Sequence, residues 1–274
     1  MLSENLTWEF PSSAEEAAGL LLRPGALLHA GGTRILKTCP KSVKLLIDTG
    51  GLGLDYINFT DNAYYIGSGV TFSEIVKYPA KGKSLPLLQS SLSGAASTPL
   101  RNRITIGGSL KDFPLWSSLY APLIALKARV EILTDKPAIH TVEDYVSSGI
   151  IKTKHLIKHL IIDEESGLIS GVKKFSILKF QYPAFTIAIA LCMKGRMVED
   201  ARLVITGVRN RFMRFTKAEE MLKGKTLNEL TLEEVHRHIS PSFMSDYKFS
   251  ASYKEKAARI IFMDLFKEIK GGMR

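Results

Sequence analysis

The sequence predicts an α+β chain in two domains, and three observations carry this. The first 166 residues mix short strand-like apolar runs with helix starts. A turn region at residues 167–171 then breaks the pattern. Beyond it, strand-like runs come first and helix starts follow, the order of an α+β domain. The predicted division is 1–166, with subdomains of about 1–55 and 56–166, followed by 167–274.

The elements follow in order. Ser13 and Glu16 fit a capping box, and residues 17–22 supply an apolar stripe that Arg23-Pro24-Gly25 ends. Residues 26–30 and 44–48 read as short buried strands, and Thr49-Gly50-Gly51 turns the chain. Strands at 56–60 and 63–66 flank a two-residue turn, Asp61-Asn62, which predicts a hairpin. Thr71 and Glu74 form a second capping box. Residues 84–96 are a helix or an irregular apolar segment, 114–127 a helix, and 128–134 and 156–162 strands. After the boundary, 185–193 and 201–206 are strands. Thr216 with Glu219, Thr231 with Glu234 and Ser252 with Glu255 then predict three helix starts. The last helix carries Ala257, Ile261, Leu265 and Ile269 on one face and ends at Gly271-Gly272.

Composition narrows the function classes. The 274 residues are 45% hydrophobic and 23% charged, as in an ordinary globular protein. No apolar run reaches the roughly 18 residues that span a bilayer, so no membrane segment is expected. Met1-Leu2-Ser3-Glu4-Asn5 lacks the basic start and apolar core of a signal peptide, which predicts a cytoplasmic protein. Cys39 and Cys192 lie far apart without metal-ligand spacing, so a metal site built from this chain alone is not expected. The net charge is +10, but the basic residues are spread out, with no interleaved aromatics and no recognition helix. That argues against nucleic acid; a bound dinucleotide or acidic partner subunits use such charge equally well.

Two glycine motifs carry the chemistry. The first is Leu28-His29-Ala30-Gly31-Gly32-Thr33-Arg34-Ile35-Leu36. A strand feeds paired glycines and a hydroxyl residue, and successive N–H groups in such a turn form an anion-binding nest. A plain tight turn is the alternative. The second runs from Leu100 to Leu110 and contains Thr105, Gly107, Gly108 and Ser109. Its alternative is a glycine-rich bend between a strand and a helix. Two such loops in one chain suit the two phosphates of a dinucleotide.

The pair of motifs, in this order, resembles the flavin-binding subunit of the molybdenum hydroxylases. That family includes the flavin domain of xanthine dehydrogenase and the medium subunit of aerobic carbon monoxide dehydrogenase. The stretches YYIGSGVTFSEIV, FTIAIALCMKGRMVEDARLVITGV and SASYKEKAARII extend the likeness over nearly the whole chain. The resemblance implies an FAD-binding domain of the p-cresol methylhydroxylase type, made of two α/β subdomains. A smaller C-terminal α+β domain like that of carbon monoxide dehydrogenase flavoprotein follows. It also implies bound FAD, a molybdopterin-binding large subunit, a [2Fe-2S] small subunit and an electron acceptor such as NAD.

Residue by residue, the resemblance implies that Leu28, His29, Ala30, Gly31, Gly32, Thr33, Arg34 and Ile35 hold the pyrophosphate. Thr105 touches the flavin nucleotide, and Gly107, Gly108 and Ser109 form a second wall. Ile157 lies near the ring system. Lys174 supplies a cation near the flavin, where it can stabilise negative charge on the reduced ring; a solvated surface lysine is the plainer alternative. The chain departs from the family at Arg34, usually acidic, and at Ser109, usually Asn. Ser118 stands where the family has an aspartate, inside the altered run Lys111-Asp112-Phe113-Pro114-Leu115-Trp116.

Other candidate chemistry is thin. His29, in the first loop, reads as a packed or backbone-exposed histidine, with a catalytic role as the weaker alternative. His155 and His159 have the i, i+4 spacing of a metal-binding helix, but Leu156, Ile157, Leu160 and Ile161 argue for a strand. Trp8 and Trp116 are expected in the core. No Ser-His-Asp set is readable, and no catalytic residue is assigned. Two rival readings remain. One is a stand-alone reductase of the UDP-N-acetylenolpyruvoylglucosamine type. The other is an assembly subunit without flavin, suggested by the altered run.

Overall fold

The structure, a computed structural model, describes residues 6–35, 41–178 and 180–272. Cys39, Leu36 and the opening five residues lie outside the described residues. In chain order come β1 (Thr7–Glu9), α1 (Ala14–Leu21), β2 (Ala26–His29), β3 (Leu45–Asp48), β4 (Ile57–Thr60), β5 (Ala63–Gly67) and α2 (Phe72–Lys77). Next are α3 (Ser84–Ser93), α4 (Thr98–Arg101), α5 (Ile106–Lys111), α6 (Tyr120–Ala125), β6 (Arg129–Leu133), β7 (Pro137–Thr141) and α7 (Val142–Ser147). A 3-10 turn (Ile150–Lys152) leads to β8 (Leu156–Asp163) and β9 (Leu168–Phe175). The chain closes with β10 (Phe185–Lys194), β11 (Met197–Val208), β12 (Arg211–Arg214), α8 (Thr216–Leu222), α9 (Glu229–Arg237) and α10 (Ala251–Gly271). The α+β class expected from the sequence is the class observed.

Contacts divide the chain into two compact units. The first is Met1–Pro79, Ser97–Asp112 and Lys127–Ile162; the second is Ala80–Ala96, Phe113–Leu126 and Asp163–Arg274.

In the first unit, β1, β3 and β2 form a parallel sheet with β3 in the middle. Leu45, Leu46 and Ile47 are therefore buried in one unbroken apolar run, as in a strand covered on both faces. The edge strand β1 was not expected, because its three side chains are exposed and leave no buried apolar pattern. Trp8 within it is exposed too, against the expectation of a core residue. The Ser13 hydroxyl accepts the Glu16 N–H at 3.1 Å, capping α1. Glu16 in turn accepts from the Ser12 N–H, not from Ser13. Ala17, Ala18, Leu20 and Leu21 of α1 then pack on Ala26, Leu45 and Ile47.

The second sheet of this unit has the order β4-β5-β8-β6-β7. Its β4–β5 hairpin turns through Asp61 (φ 50°) and Asn62 (φ 58°), both left-handed as a tight primed turn requires. β7 and α7 were not expected. His159 sits within strand β8 and bonds the Tyr56 hydroxyl through Nδ1 at 2.7 Å. His155 immediately precedes β8, so the two histidines do not share a helix face. Among the described residues, no group of three or more histidine, cysteine or acidic side chains is placed to hold a metal.

A part-buried polar cluster forms at the end of α5. The Lys111 ammonium donates to the Ile151 carbonyl at 2.8 Å and to the Thr153 carbonyl, and lies 3.5 Å from His155 Nδ1. His155 Nε2 meets the Tyr145 hydroxyl at 2.8 Å. Burial, helped by the Lys111 charge, pushes the His155 imidazole down to about 4. The imidazole is therefore neutral in the fold, whereas in the unfolded chain it protonates below its usual 6.5. The unfolded state binds the extra proton between these values, so stability falls as pH drops through that window. We expect His155 to cost roughly 3 kcal/mol by pH 4. Urea titrations at a series of pH values test this: the wild type minus His155→Gln difference should shrink on acidification, and a pH-independent difference refutes it.

In the second unit, β12-β11-β10-β9 form an antiparallel sheet. Phe185, Ile187, Ile189 and Leu191 of β10 face Leu222, Val235, Phe262 and Phe266 from α8, α9 and α10. The alternate residues Thr186, Ala188 and Ala190 are equally buried on the opposite face, where α6 packs. Cover on both faces explains the continuous apolar run.

Several local expectations shift here. Only Gly167 (φ +69°) turns at the predicted turn region, and β9 starts directly after it. Gly171 sits mid-strand because a Cβ there would lie 2.7 Å from Leu265 of α10. The helix predicted over 114–127 is confined to α6. Before it the chain folds back, stacking Phe113 on Tyr120 with ring centroids 3.7 Å apart. Thr216 does not cap α8; Glu219 instead accepts the Leu203 N–H at 2.8 Å and Arg214 at 2.7 Å. α9 and α10 are capped earlier than predicted, by Asn228 and Ser250.

Arg202 is wholly buried in β11. Its guanidinium grips Glu165 through Nη1 (2.5 Å) and Nη2, and Cys192 donates its S–H to the same carboxylate at 2.6 Å. Burial and that hydrogen bond push the Cys192 thiol up to about 12.

Candidate functional site

The first motif begins where β2 leaves its sheet. The His29 carbonyl accepts both the N–H (2.9 Å) and the hydroxyl (3.0 Å) of Thr49, which pins the strand end. The backbone then runs so close to Arg103 that a Cβ on Gly31 would sit 1.6 Å from the Arg103 carbonyl oxygen. Gly32 follows at φ +70°. Only glycine meets both demands. Among the described residues, the N–H groups of Gly31, Gly32 and Thr33 have no hydrogen-bond partner. Three consecutive unpaired donors in a glycine turn make a concave seat for an anion.

The surroundings suit an anion as well. Arg103 Nε donates to the Gly31 carbonyl at 3.1 Å, and its guanidinium approaches the Gly32 Cβ position within 3.7 Å. His29 forms the floor. Its Nδ1 lies 3.0 Å from Asp48 Oδ2, Trp8 meets the ring edge-on, and Nε2 points at Gly32. Arg34 is ion-paired with Asp112. Those two departures from the family pattern are thus in contact with each other, joining the ends of the two motifs.

The second motif is built differently. Residues 104–107 pair with 68–72: Phe72 N–H to Ile104 O at 2.9 Å, Ile106 N–H to Val70 O at 2.8 Å, and Gly107 N–H to Ser68 O at 2.9 Å. A Cβ on Gly107 would lie 2.6 Å from the Ser68 Cβ, so the glycine permits this close approach. The Thr105 hydroxyl caps α5 by accepting the Gly108 N–H at 3.2 Å, and the Ser109 N–H goes to Thr105 O. The N–H groups of 106–109 are therefore consumed by the fold. Arg103, which touches the first loop from the start of the second, was not singled out from sequence. Its position within the quoted second motif was the only signal.

The remaining predicted residues fall in two places. Ile157 is buried in β8 of the first unit, opposite Ile132. Ser118 and Lys174 belong to the second unit and converge there on Ser91. The Lys174 ammonium donates to the Ser91 carbonyl at 3.3 Å, and the Ser91 hydroxyl donates to the Ser118 carbonyl.

Comparison with known proteins bears directly on this geometry. A family profile described as the FAD binding domain in molybdopterin dehydrogenase matches residues 4–162. The chain belongs to this FAD-binding family. A second profile, the CO dehydrogenase flavoprotein C-terminal domain, matches residues 172–269. The flavoprotein resemblance, FAD as cofactor and the two-part FAD-binding and C-terminal fold expected above therefore hold. The chain is 26% identical over 256 residues to the nicotine 6-hydroxylase medium subunit of Paenarthrobacter nicotinovorans, covering 89% of this chain and 90% of the relative. It is 24% identical over 251 residues to the glyceraldehyde dehydrogenase medium chain of Sulfolobus acidocaldarius, covering 88% and 89%. Its fold matches a chain of quinoline 2-oxidoreductase from Pseudomonas putida 86 with a TM-score of 0.88 at 21% identity, over 100% of both. This family member is an FAD-binding oxidoreductase subunit of the molybdenum hydroxylase type. Among the described residues, no helix is long and apolar enough to cross a membrane.

Proposed function

We propose that this subunit takes electrons from [2Fe-2S] clusters on a small partner subunit and passes them to an acceptor such as NAD, while a molybdopterin-binding large subunit oxidises the substrate. The observation that carries the reading is the seat of unpaired N–H groups at Gly31, Gly32 and Thr33. When bound, FAD supplies the redox chemistry; the chain supplies binding, orientation and charge.

In this reading Leu28 to Ile35 hold the pyrophosphate, with Gly31, Gly32 and Thr33 donating and Arg103 and His29 closing the seat. Thr105, Gly107, Gly108 and Ser109 set the position of α5 beside it, and Ile157, Ser118 and Lys174 serve the ring end. The functional division of this reading is 1–166 and 167–274, and family matches over 4–162 and 172–269 support it. The complex works in the cytoplasm. The names of the relatives, a medium chain and a medium subunit, support a multi-subunit assembly.

Anaerobic mixing of the assembled complex with its oxidisable substrate tests the reading. We expect the flavin absorbance to bleach only when the small subunit is present, and then to recover on adding NAD. A chain that stays colourless after incubation with FAD sinks the reading. So does an isolated chain that reduces an enolpyruvyl sugar nucleotide with NADPH.

A further inference from the structure

We propose that His29 takes up a proton when the pyrophosphate enters the seat, so that this chain holds FAD more tightly as the pH falls. The inference rests on reading the seat as the FAD pyrophosphate site. It concerns a pair, His29 and Asp48, at the carboxyl ends of β2 and β3, where the two residues are partners in the parallel register. The carboxyl edge of a parallel sheet is where ligands gather.

The geometry fixes which ring nitrogen carries the proton. Asp48 Oδ1 accepts the Gly50 N–H at 2.8 Å, and Oδ2 lies 3.0 Å from His29 Nδ1. A carboxylate only accepts, so Nδ1 is the donor. Nε2 of the neutral ring is then a bare lone pair. Among the described residues it has no hydrogen-bond partner, and it lies 3.0 Å from where a Gly32 Cβ would stand. Two tryptophans were expected in the core, Trp8 and Trp116, and both are nearly half exposed. Trp8 stands edge-on against the His29 ring, with centroids 4.9 Å apart.

An oxyanion in the seat meets that lone pair. Two acceptors then face each other and repel, unless a proton joins them. A proton from solvent, bound at Nε2, makes a charge-assisted hydrogen bond to the phosphate, while Nδ1–H keeps its bond to Asp48. Neighbouring charges set the balance. Asp48 favours the imidazolium; the Arg103 guanidinium, 3.7 Å from the same Gly32 point, opposes it. Of the other charges nearby, Arg34 is paired with Asp112, and Glu9 of β1 lies 3.6 Å from Arg23. The turn 49–53 carries no charged side chain. The bound phosphate adds the negative charge that tips the ring to its charged form. Imidazole is the side chain in which such a change is felt near neutral pH.

The test titrates the full-length chain, stripped of flavin, with FAD. The pyrophosphate of FAD is a diester with no proton to gain or lose near neutrality, so proton uptake belongs to the protein. Calorimetry at about pH 7.5 in HEPES and in Tris, buffers of different ionisation heat, counts it. We expect up to about one proton taken up per FAD, and an affinity that falls up to about ten-fold per pH unit above the imidazole range. His29→Leu should take up none and bind roughly ten-fold more weakly at that pH or worse. Asp48→Asn is the sharper variant. Its amide oxygen keeps the Gly50 N–H while its NH₂ donates to Nδ1, which moves the ring's own proton to Nε2. The neutral ring then donates to the phosphate without uptake, and binding becomes independent of pH; a merely structural His29 would show no such change. Uptake that persists in either variant overturns the proposal, as does a wild-type affinity constant from about pH 6 to 9. ADP-ribose, a pyrophosphate diester without flavin, separates the two readings. FAD bound with no proton uptake removes this role of His29 and leaves the flavin site standing. ADP-ribose bound with uptake, by a chain that never takes FAD, keeps the role and fails the flavin reading. If neither binds, both fall.

Discussion

Gly32→Asp is expected to yield a colourless protein. Gly32 sits at φ +70°, where an L side chain is strained, and its Cβ would lie 3.0 Å from His29 Nε2. The backbone cost alone is about 1–2 kcal/mol. The larger loss comes from charge. A carboxylate placed in a seat of three unpaired N–H groups takes those donors for itself and repels a second anion. We expect FAD affinity to fall on the order of a hundred-fold or more, since hydrogen bonds to charged groups are worth about 1.5–3 kcal/mol each. Absorbance near about 450 nm, the flavin band, should vanish from the purified protein. Gly32→Ala, which brings strain without charge, should lose less. Full flavin content in Gly32→Asp would falsify the loop assignment.

The second large effect concerns stability. Glu165→Ala leaves the wholly buried Arg202 with Asp200 Oδ2, 3.6 Å from its Nε, as the remaining nearby carboxylate. Removing one partner of a buried ion pair costs about 3–5 kcal/mol, because the other charge is stranded away from water. Cys192 loses its acceptor in the same step. We expect the second unit to unfold first in a denaturant series, with Glu165→Gln intermediate because it keeps acceptor geometry but not charge. A Glu165→Ala midpoint within error of wild type contradicts this account. Replacing Arg202 and Glu165 together by apolar residues of similar volume should recover much of the loss.

Legibility in the sequence tracked how local the cause was. The β4–β5 hairpin was readable because Asp61 and Asn62 carry the turn by themselves. β10 was readable because cover on both faces leaves a continuous apolar run. Thr71 with Glu74 was readable because a capping box closes within four residues. What escaped depends on distant partners. β1 exists because β3, far along the chain, offers it an edge. Gly171 looked like a turn, yet it is a flat place in a strand against which α10 lies. Glu219 looked like a cap but was drawn to Leu203 and Arg214.

The site divides the same way. Gly31 and Gly32 announced a turn that needs glycine, while the reason for Gly31 is the carbonyl of Arg103. That pairing spans 72 positions and leaves no periodic trace. The two glycine motifs looked alike as text. Only in three dimensions does one keep its N–H groups open while the other spends them on the neighbouring segment. Ser109 illustrates this: its N–H is already engaged with the Thr105 carbonyl.

The membership of α3 and α6 has a consequence for biosynthesis. Both helices precede most of the first unit's second sheet in the chain, yet both belong to the second unit. Leu85, Leu88 and Leu92 of α3, and Tyr120, Leu123 and Ile124 of α6, are buried in the finished protein. During synthesis these faces emerge well before β9, β10 and β11 exist to cover them. Apolar surface left waiting in this way is the usual substrate of chaperones and the usual start of aggregation. A chain ended at residue 166 would keep both helices and lose their sheet permanently. The first matched segment, residues 4–162, thus supplies two helices to the second unit, while the second matched segment, residues 172–269, lies wholly within that unit.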